Sequence, residues 1–262
     1  MISLERRDGR PLRIGHRGAA VLAPENTLRS FRAAVEAGVD LIEFDVLDLH
    51  DGELVIAHSN DLREVSHGAA AGSVRDRSLE SLREICPDMP TLEDALAFFV
   101  DEAEHVGLHL DLKTGGREAD IVAALRRFDL VERSFVSSFR FRTVRALARI
   151  DSGARVGITV PRGVFGITES GRGALFARIG LSTLRRVAPF AAPAALAAAR
   201  VSALVLHHSL VGETVVRRAH ARGAAVVAWT VDDPQDLARV DEAGVDAVVT
   251  NNPRIFGEPG PR

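Results

Sequence analysis

Read by its hydrophobic and polar positions, the chain alternates short apolar runs with longer stretches of helical periodicity. The strand-like runs are LRIGHR (12–17), LIEFDV (41–46), ELVIAH (53–58), GLHLDLK (107–113), SFVSSF (134–139), ARVGITV (154–160), ALVLHH (203–208), AVVAWT (225–230) and DAVVT (246–250). Most are nearly continuous in apolar residues, as parallel strands covered on both faces must be. Helical patterns lie between them. NTLRSFRAAVEAG ends with Gly38 at a C-cap position, and TLEDALAFFVDEAEHVG opens with Thr91 and Asp94 in capping-box spacing. READIVAALRRF, FRTVRALARI, GETVVRRAHARG and DPQDLARVDEAG follow. This alternation predicts βαβ units and a parallel sheet.

One of the nine runs does not fit the repeat. The segment LDLHDG between LIEFDV and ELVIAH is too short for a parallel crossover, and Asp51-Gly52 is a hairpin turn signal. ELVIAH is therefore expected to return antiparallel, above the barrel. Eight parallel strands remain, and eight βα units in 262 residues predict an α/β chain of the (β/α)₈ TIM-barrel class with a β-hairpin extension after strand 2. A doubly wound open sheet is the competing architecture, but GHRGAA lacks the G-x-G-x-x-G spacing that it would bring. Residues 68–90 and 161–200 exceed the repeat. The first is expected to form a cap or side excursion, and the second carries an alanine-rich helix from about Ala191. With no linker or internal repeat, residues 1–262 are read as one domain.

Composition narrows the function. A hydrophobic share of 46% and a charged share of 26% exclude disordered and fibrous chains. The net charge of −3 supplies no field for holding nucleic acid or an anionic membrane. No apolar run spans a bilayer and the first residues lack a signal-peptide core, so the expected compartment is the cytoplasm. The single cysteine, Cys86, is read as a buried filler rather than a nucleophile. Of the 33 basic residues only Lys113 is a lysine. A lone lysine is either a chance survivor or a sign that a compact ammonium is needed there.

Barrel chemistry sits at the C-terminal ends of strands, so the polar residues there are the candidates. Glu43 and Asp45 lie two apart on one strand and point to one face. Two carboxylates on a buried face repel unless a cation stands between them. A divalent ion with oxygen ligands answers this, and so does an ion pair with a loop arginine. Asp111 and Lys113 repeat the spacing on another strand. Asp111 can complete an all-oxygen site and Lys113 can hold a phosphate; the pair can equally fill a barrel layer. His16 and His58 end strands facing the mouth and can serve as general acid and base. Arg17 has the fork that suits a phosphate oxygen, and Trp229 ends the AVVAWT strand. The other histidines, including His109 and His208, do not share this placement. The set points to hydrolysis of a phosphate ester. Neither a G-x-S-x-G elbow nor P-loop spacing is present.

His16-Arg17-Gly18, Pro24-Glu25-Asn26-Thr27, Glu43-x-Asp45, Asp51-Gly52 and His58 occur in one order. Pro90-Thr91-Leu92-Glu93, Ser137-Ser138-Phe139, Trp229-Thr230-Val231 and Gly244-Val245-Asp246 follow. Together they resemble the glycerophosphodiester phosphodiesterase family over almost the whole chain. The resemblance implies cleavage of a glycerophosphodiester to glycerol 3-phosphate and an alcohol, with one divalent cation, Mg²⁺ or Ca²⁺. It implies that His16 and His58 form the acid/base pair, that Glu43 and Asp45 bind the metal, that Arg17 and Lys113 contact phosphate, and that Trp229 walls the substrate. Asp111 stands where the family usually has Glu, Ser59 where it has an Asp after the second histidine, and Asn251 where Asp is common. Two other readings follow from these departures. One is a lysophospholipase D or sphingomyelinase D-like enzyme, favoured by Asp111 and by the apolar segment 161–190. The other is a retired barrel that binds phosphodiesters without turnover.

Overall fold

The computed structural model describes residues 2–150, 153–160, 196 and 201–257. All nine expected strands form: β1 (Leu12–Gly15), β2 (Leu41–Asp48), β3 (Leu54–Ile56), β4 (Gly107–Leu112), β5 (Ser134–Ser138), β6 (Arg155–Val160), β7 (Ala203–His207), β8 (Ala225–Trp229) and β9 (Ala247–Thr250). Eight of them pair parallel in the order β1-β9-β8-β7-β6-β5-β4-β2, and β1 closes on β2. The result is a closed (β/α)₈ barrel. β3 pairs antiparallel with β2, Val46 opposite Ile56 and Asp48 opposite Leu54, so the hairpin is where the Asp51-Gly52 turn puts it. The cap segment, residues 68–90, carries the helix Leu79–Ile85. The alanine-rich helix expected from Ala191 lies outside the described residues, as does most of 161–200.

The helices are α1 (Leu28–Glu36), α2 (Leu62–Val65), α3 (Leu79–Ile85), α4 (Leu92–Asp101), α5 (Glu118–Arg127), α6 (Phe141–Arg149), α7 (Glu213–His220) and α8 (Pro234–Glu242). Their starts are chemically marked. Thr27 and Ser30 form a capping box on α1, and Thr91 and Asp94 form one on α4. Each satisfies backbone N–H groups that the helix leaves unpaired. Gly38, at φ +75°, follows the Ala37 C-cap of α1.

Three apolar clusters organise the molecule. The largest lies between helices and sheet, where Phe31, Phe44, Phe98 and Phe99 pack with ring centroids 5.4–6.0 Å apart. A second fills the lower barrel with Leu12, Ile14, Leu41, Phe135, Val205 and Val227. The third, with Leu47, Leu49, Val55, Leu62, Val74 and Leu82, lies beneath the cap.

In the second cluster Phe135 occupies space that Gly157 leaves open: a Cβ on Gly157 would sit 2.7 Å from the Phe135 ring. Real contacts of that kind do not occur, so the ring must move or the strands must part. Replacing Gly157 by Ala is therefore expected to destabilise the fold by roughly 1–3 kcal/mol. Urea denaturation measures this directly, and an unchanged midpoint would contradict the packing described.

Candidate active site

Above the apolar floor of the barrel the inward positions turn polar. Strand register makes the layers. Glu43 lies opposite His109, Asp45 opposite Asp111, and Asp111 opposite Ser137. All five side chains are buried. Neighbouring strands are about 4.8 Å apart, so Asp45 and Asp111 cannot both be ionised without a cation between them. Lys113, on the same strand face as Asp111, supplies one. Its Nζ lies 2.6 Å from Asp45 Oδ1 and 2.6 Å from Asp111 Oδ2. Burial alone would lower the ammonium's pKa, but Asp111, Asp45 and Glu43 together hold it above the usual lysine range.

The turn after β1 wraps the other carboxylates. Arg17 adopts φ +50° and Gly18 φ +90°, and a Cβ on Gly18 would strike Ser30. That backbone points Arg17 N–H at Glu43 Oε2, 2.9 Å away. The Arg17 guanidinium pairs with Glu25 Oε1 at 2.7 Å and lies 3.2 Å from Asp45 Oδ2. Asn26 donates to Asp45 Oδ2 at 2.8 Å. Against burial, which would raise it, Lys113 and Arg17 keep Asp45 far below the usual carboxylate range. Glu43 goes the other way. Burial and then the Asp45 charge push its pKa well up, although Lys113 opposes this.

His16 donates or accepts through Nδ1 at 2.6 Å from Asn251 Oδ1. Behind it, Asn251 Nδ2 donates to Asp232 Oδ2 at 2.6 Å. A carboxylate only accepts, so the amide nitrogen faces Asp232 and the amide oxygen faces His16. Nδ1 therefore carries the proton, and Nε2 presents its lone pair to the barrel, 3.9 Å from Glu43 Oε2. Burial, with Arg17 adding to it, lowers the His16 pKa to about 4.

His58 follows β3 rather than a barrel strand. Its backbone is tied in through Ala57 N–H, which donates to Asp45 O at 3.0 Å. The ring Nδ1 is 2.7 Å from Glu64 Oε1.

A cavity of about 200 Å³ gathers these groups. His16, Arg17, Glu43, His58, Asp111, Lys113 and Trp229 all line it. Asp45 lies behind Lys113 and Arg17. The eight expected site residues are thus brought together at one mouth. Phe139 packs edge-on against Trp229 at 5.4 Å, and the Lys113 ammonium lies 5.8 Å from the Phe139 ring centroid. The indole N–H of Trp229 is buried without a protein partner among the described residues.

One expectation is corrected. His109 does share the placement of the site histidines: it lines the same cavity, two residues before Asp111 on one strand face. Its Nε2 is 2.9 Å from Ser137 Oγ, which donates to Asp111 Oδ1 at 2.8 Å. With its hydroxyl proton used on Asp111, Ser137 accepts from His109. The i, i+2 rule applied to Glu43 and Asp45 was the signal for it. His208 lies away from the cavity, 3.2 Å from Asp236. Cys86 is half-buried rather than buried, its thiol pKa raised by burial. It lines a second cavity, of about 410 Å³, with Ile56, Val65, Ile85 and Met89, and His58 borders both.

Whether these residues suit a metal turns on the donor set. As the side chains stand, no group of three His, Cys, Asp or Glu among the described residues closes on a common point, because Lys113 holds Asp45 and Asp111. The buried charges nevertheless do not balance. Glu43, Asp45 and Asp111 face Lys113 and Arg17, and Arg17 is shared with Glu25. Burial first, and then the Asp45 charge, raises the Glu43 pKa. An all-oxygen set with one uncompensated negative charge fits a hard divalent cation.

The chain resembles known proteins along its length. The model of the Glycerophosphoryl diester phosphodiesterase family matches residues 16–255. A glycerophosphodiester phosphodiesterase of Caldanaerobacter subterraneus subsp. tengcongensis is 26% identical, over 93% of this chain and 95% of that one. The crystal structure of a glycerophosphodiester phosphodiesterase from Parabacteroides distasonis superposes with a TM-score of 0.71 at 22% identity, covering 94% of each chain. An Oleispira antarctica phosphodiesterase, solved in complex with the product sn-glycerol-3-phosphate, superposes with a TM-score of 0.68 at 24% identity, covering 94% of each. Among the described residues no helix is long and apolar enough to cross a membrane.

Buried neutral histidines make stability depend on pH. His16 and His109 have pKa values of about 4 in the fold against an ordinary 6.5. Between those values the unfolded chain binds protons that the folded chain refuses, so stability falls with falling pH. The urea midpoint is expected to hold above about pH 6.5 and to drop steadily towards pH 4. A midpoint constant over that window would contradict burial of the neutral rings.

Proposed function

The chain belongs to the glycerophosphoryl diester phosphodiesterase family, and on that premise we propose that it hydrolyses glycerophosphodiesters to glycerol 3-phosphate and an alcohol by paired histidine catalysis with a divalent metal. The observation that carries this reading is the cavity that His16 and His58 border together with two cations and a carboxylate cluster.

The residues divide the work. Arg17 and Lys113 line the cavity and would take the phosphodiester oxygens, neutralising charge as it develops. Glu43, Asp45 and Asp111 would hold Mg²⁺ or Ca²⁺, which when bound supplies Lewis-acid stabilisation of the phosphoryl oxygens. His16, neutral and with its Nε2 lone pair towards the cavity, is suited to take the proton from the glycerol 2-hydroxyl that attacks phosphorus. His58, paired with a carboxylate, is suited to give a proton to the leaving alcohol. Water then opens the cyclic phosphate with the roles reversed. Trp229 and Phe139 wall the substrate.

Release of glycerol 3-phosphate from glycerophosphocholine, with Mg²⁺, with Ca²⁺ and with EDTA, tests the reading. Release is expected with one of the metals and not in EDTA. His16→Ala and His58→Ala should each cost roughly 10²- to 10⁴-fold in kcat. A substrate lacking the 2-hydroxyl should be inert; turnover of that analogue would replace the cyclic route with direct attack by water.

One observation favours a second substrate class. The 410 Å³ cavity beside His58 has an apolar part formed by Ile56, Val65, Ile85, Pro87 and Met89. Apolar walls next to an acid/base group suit a lysolipid as well as a small alcohol. The segment 161–190, the sequence-level ground for a lipid substrate, lies outside the described residues. Turnover of lysophosphatidylcholine vesicles against soluble glycerophosphocholine separates the two, and the soluble diester is expected to be the better substrate.

A further inference from the structure

His58 sits on the hairpin extension, away from the barrel strands that fix the rest of the site. An imidazole there needs something to set its rotation and tautomer. In the sequence the residue that follows it, Ser59, cannot supply a carboxylate. The structure brings one from five residues further on.

We propose that Glu64 is the positioning residue of His58, holding the ring by Nδ1 so that Nε2 faces the reacting phosphodiester. This rests on the reading of His58 as an acid/base group. The bond is 2.7 Å long, and since a carboxylate only accepts, Nδ1 is the donor. Nε2 is left for the cavity that His58 borders.

The local backbone is built to deliver Glu64. Ser59 Oγ accepts Asp61 N–H at 2.9 Å, and Asp61 Oδ1 caps the short helix α2 by accepting Arg63 N–H at 2.9 Å. That helix carries Glu64. The Ser59 hydroxyl also hydrogen-bonds the Glu64 carboxylate. Burial would raise the Glu64 pKa, but Ser59 and His58 hold it below the usual range, so it stays an anion. Ser59 thus acts on His58 through Glu64.

Other charges surround the ring. On the barrel side are Arg17, Asp45 and Lys113, and Asp45 is already shared between the two cations. On the cap side are Glu25, His67 and Asp88. Glu25 pairs with Arg17, and Asp88 lies 3.4 Å from Arg29. Glu64 is the carboxylate bonded to His58 itself. The pair is half-exposed, at 32% for His58 and 49% for Glu64. Such pairs add little to stability, so Glu64→Gln should fold normally.

The test uses the full-length enzyme supplied with its activating metal, glycerophosphocholine as substrate, and the variants Glu64→Gln, Glu64→Asp and His58→Ala. Proton NMR of the His58 ring N–H runs alongside. Glu64→Gln is expected to lower kcat about 10- to 100-fold, as removal of a carboxylate partner of a metal-bound histidine does elsewhere, with little change in KM. An amide in place of the carboxylate weakens the bond to Nδ1, so the resonance of the His58 Nδ1 proton should move upfield. Glu64→Asp should restore part of both. If His58→Ala is inactive while Glu64→Gln keeps full kcat, the positioning role is overturned and the reading of His58 stands. If kcat falls but the Nδ1 proton resonance does not move, the role is merely structural and the proposal is again overturned. Full activity of His58→Ala would overturn the acid/base reading and the positioning role with it, while the resonance in the unsubstituted chain would still report whether the two groups are paired.

Discussion

The Lys113 ammonium between Asp45 and Asp111 is the interaction on which the mouth of the barrel depends. Register places the two carboxylates side by side on adjacent strands, and without a cation that layer could not remain ionised. Lys113 meets both at 2.6 Å. A guanidinium is a broad planar fork, whereas an ammonium is a compact point charge that fits between two facing oxygens. This gives a physical reason for one lysine among so many arginines. Arg17 completes the arrangement from the opposite side, and the strained turn that carries it is closed by Ser30, whose hydroxyl donates to Arg17 O at 2.8 Å.

Much of the fold was legible because the signals are local. Nine strands, the hairpin at Asp51-Gly52 and the capping boxes follow from periodicity and turn chemistry within a few residues. The barrel follows from their count. The chemistry on strands was legible for the same reason: residues two apart share a face, which placed Glu43 with Asp45 and Asp111 with Lys113. The same rule reaches His109, but a histidine in an apolar run reads first as core, and only closure of the barrel shows that its strand face is the cavity wall.

What sequence did not give were the partners that orient the two histidines. His16 is held by Asn251 and, through it, by Asp232, 235 and 19 residues apart in the chain respectively. Glu64 is one acidic residue in a four-residue helix, with no spacing that distinguishes it from a solvated surface glutamate. Ser59 and Asn251, taken alone, are only departures from the residues usual at those positions. In the fold each belongs to a small network in which a carboxylate from elsewhere stands behind the histidine. Such compensation depends on where loops return, which no local pattern encodes.

The two histidines also belong to different parts of the protein. His16 rises from β1, closed within the barrel ladder. His58 follows β3, whose hairpin and cap bury a separate apolar cluster around Leu47, Val55, Leu62 and Leu82. A small cluster at an edge can open as its own cooperative unit, at a lower free energy than the whole fold. The proposed acid/base pair thus draws one member from the barrel ladder and the other from the hairpin beside that small cluster. On warming, the cap is the natural first unit to fray, so the enzyme can fall silent while its barrel still reads as folded.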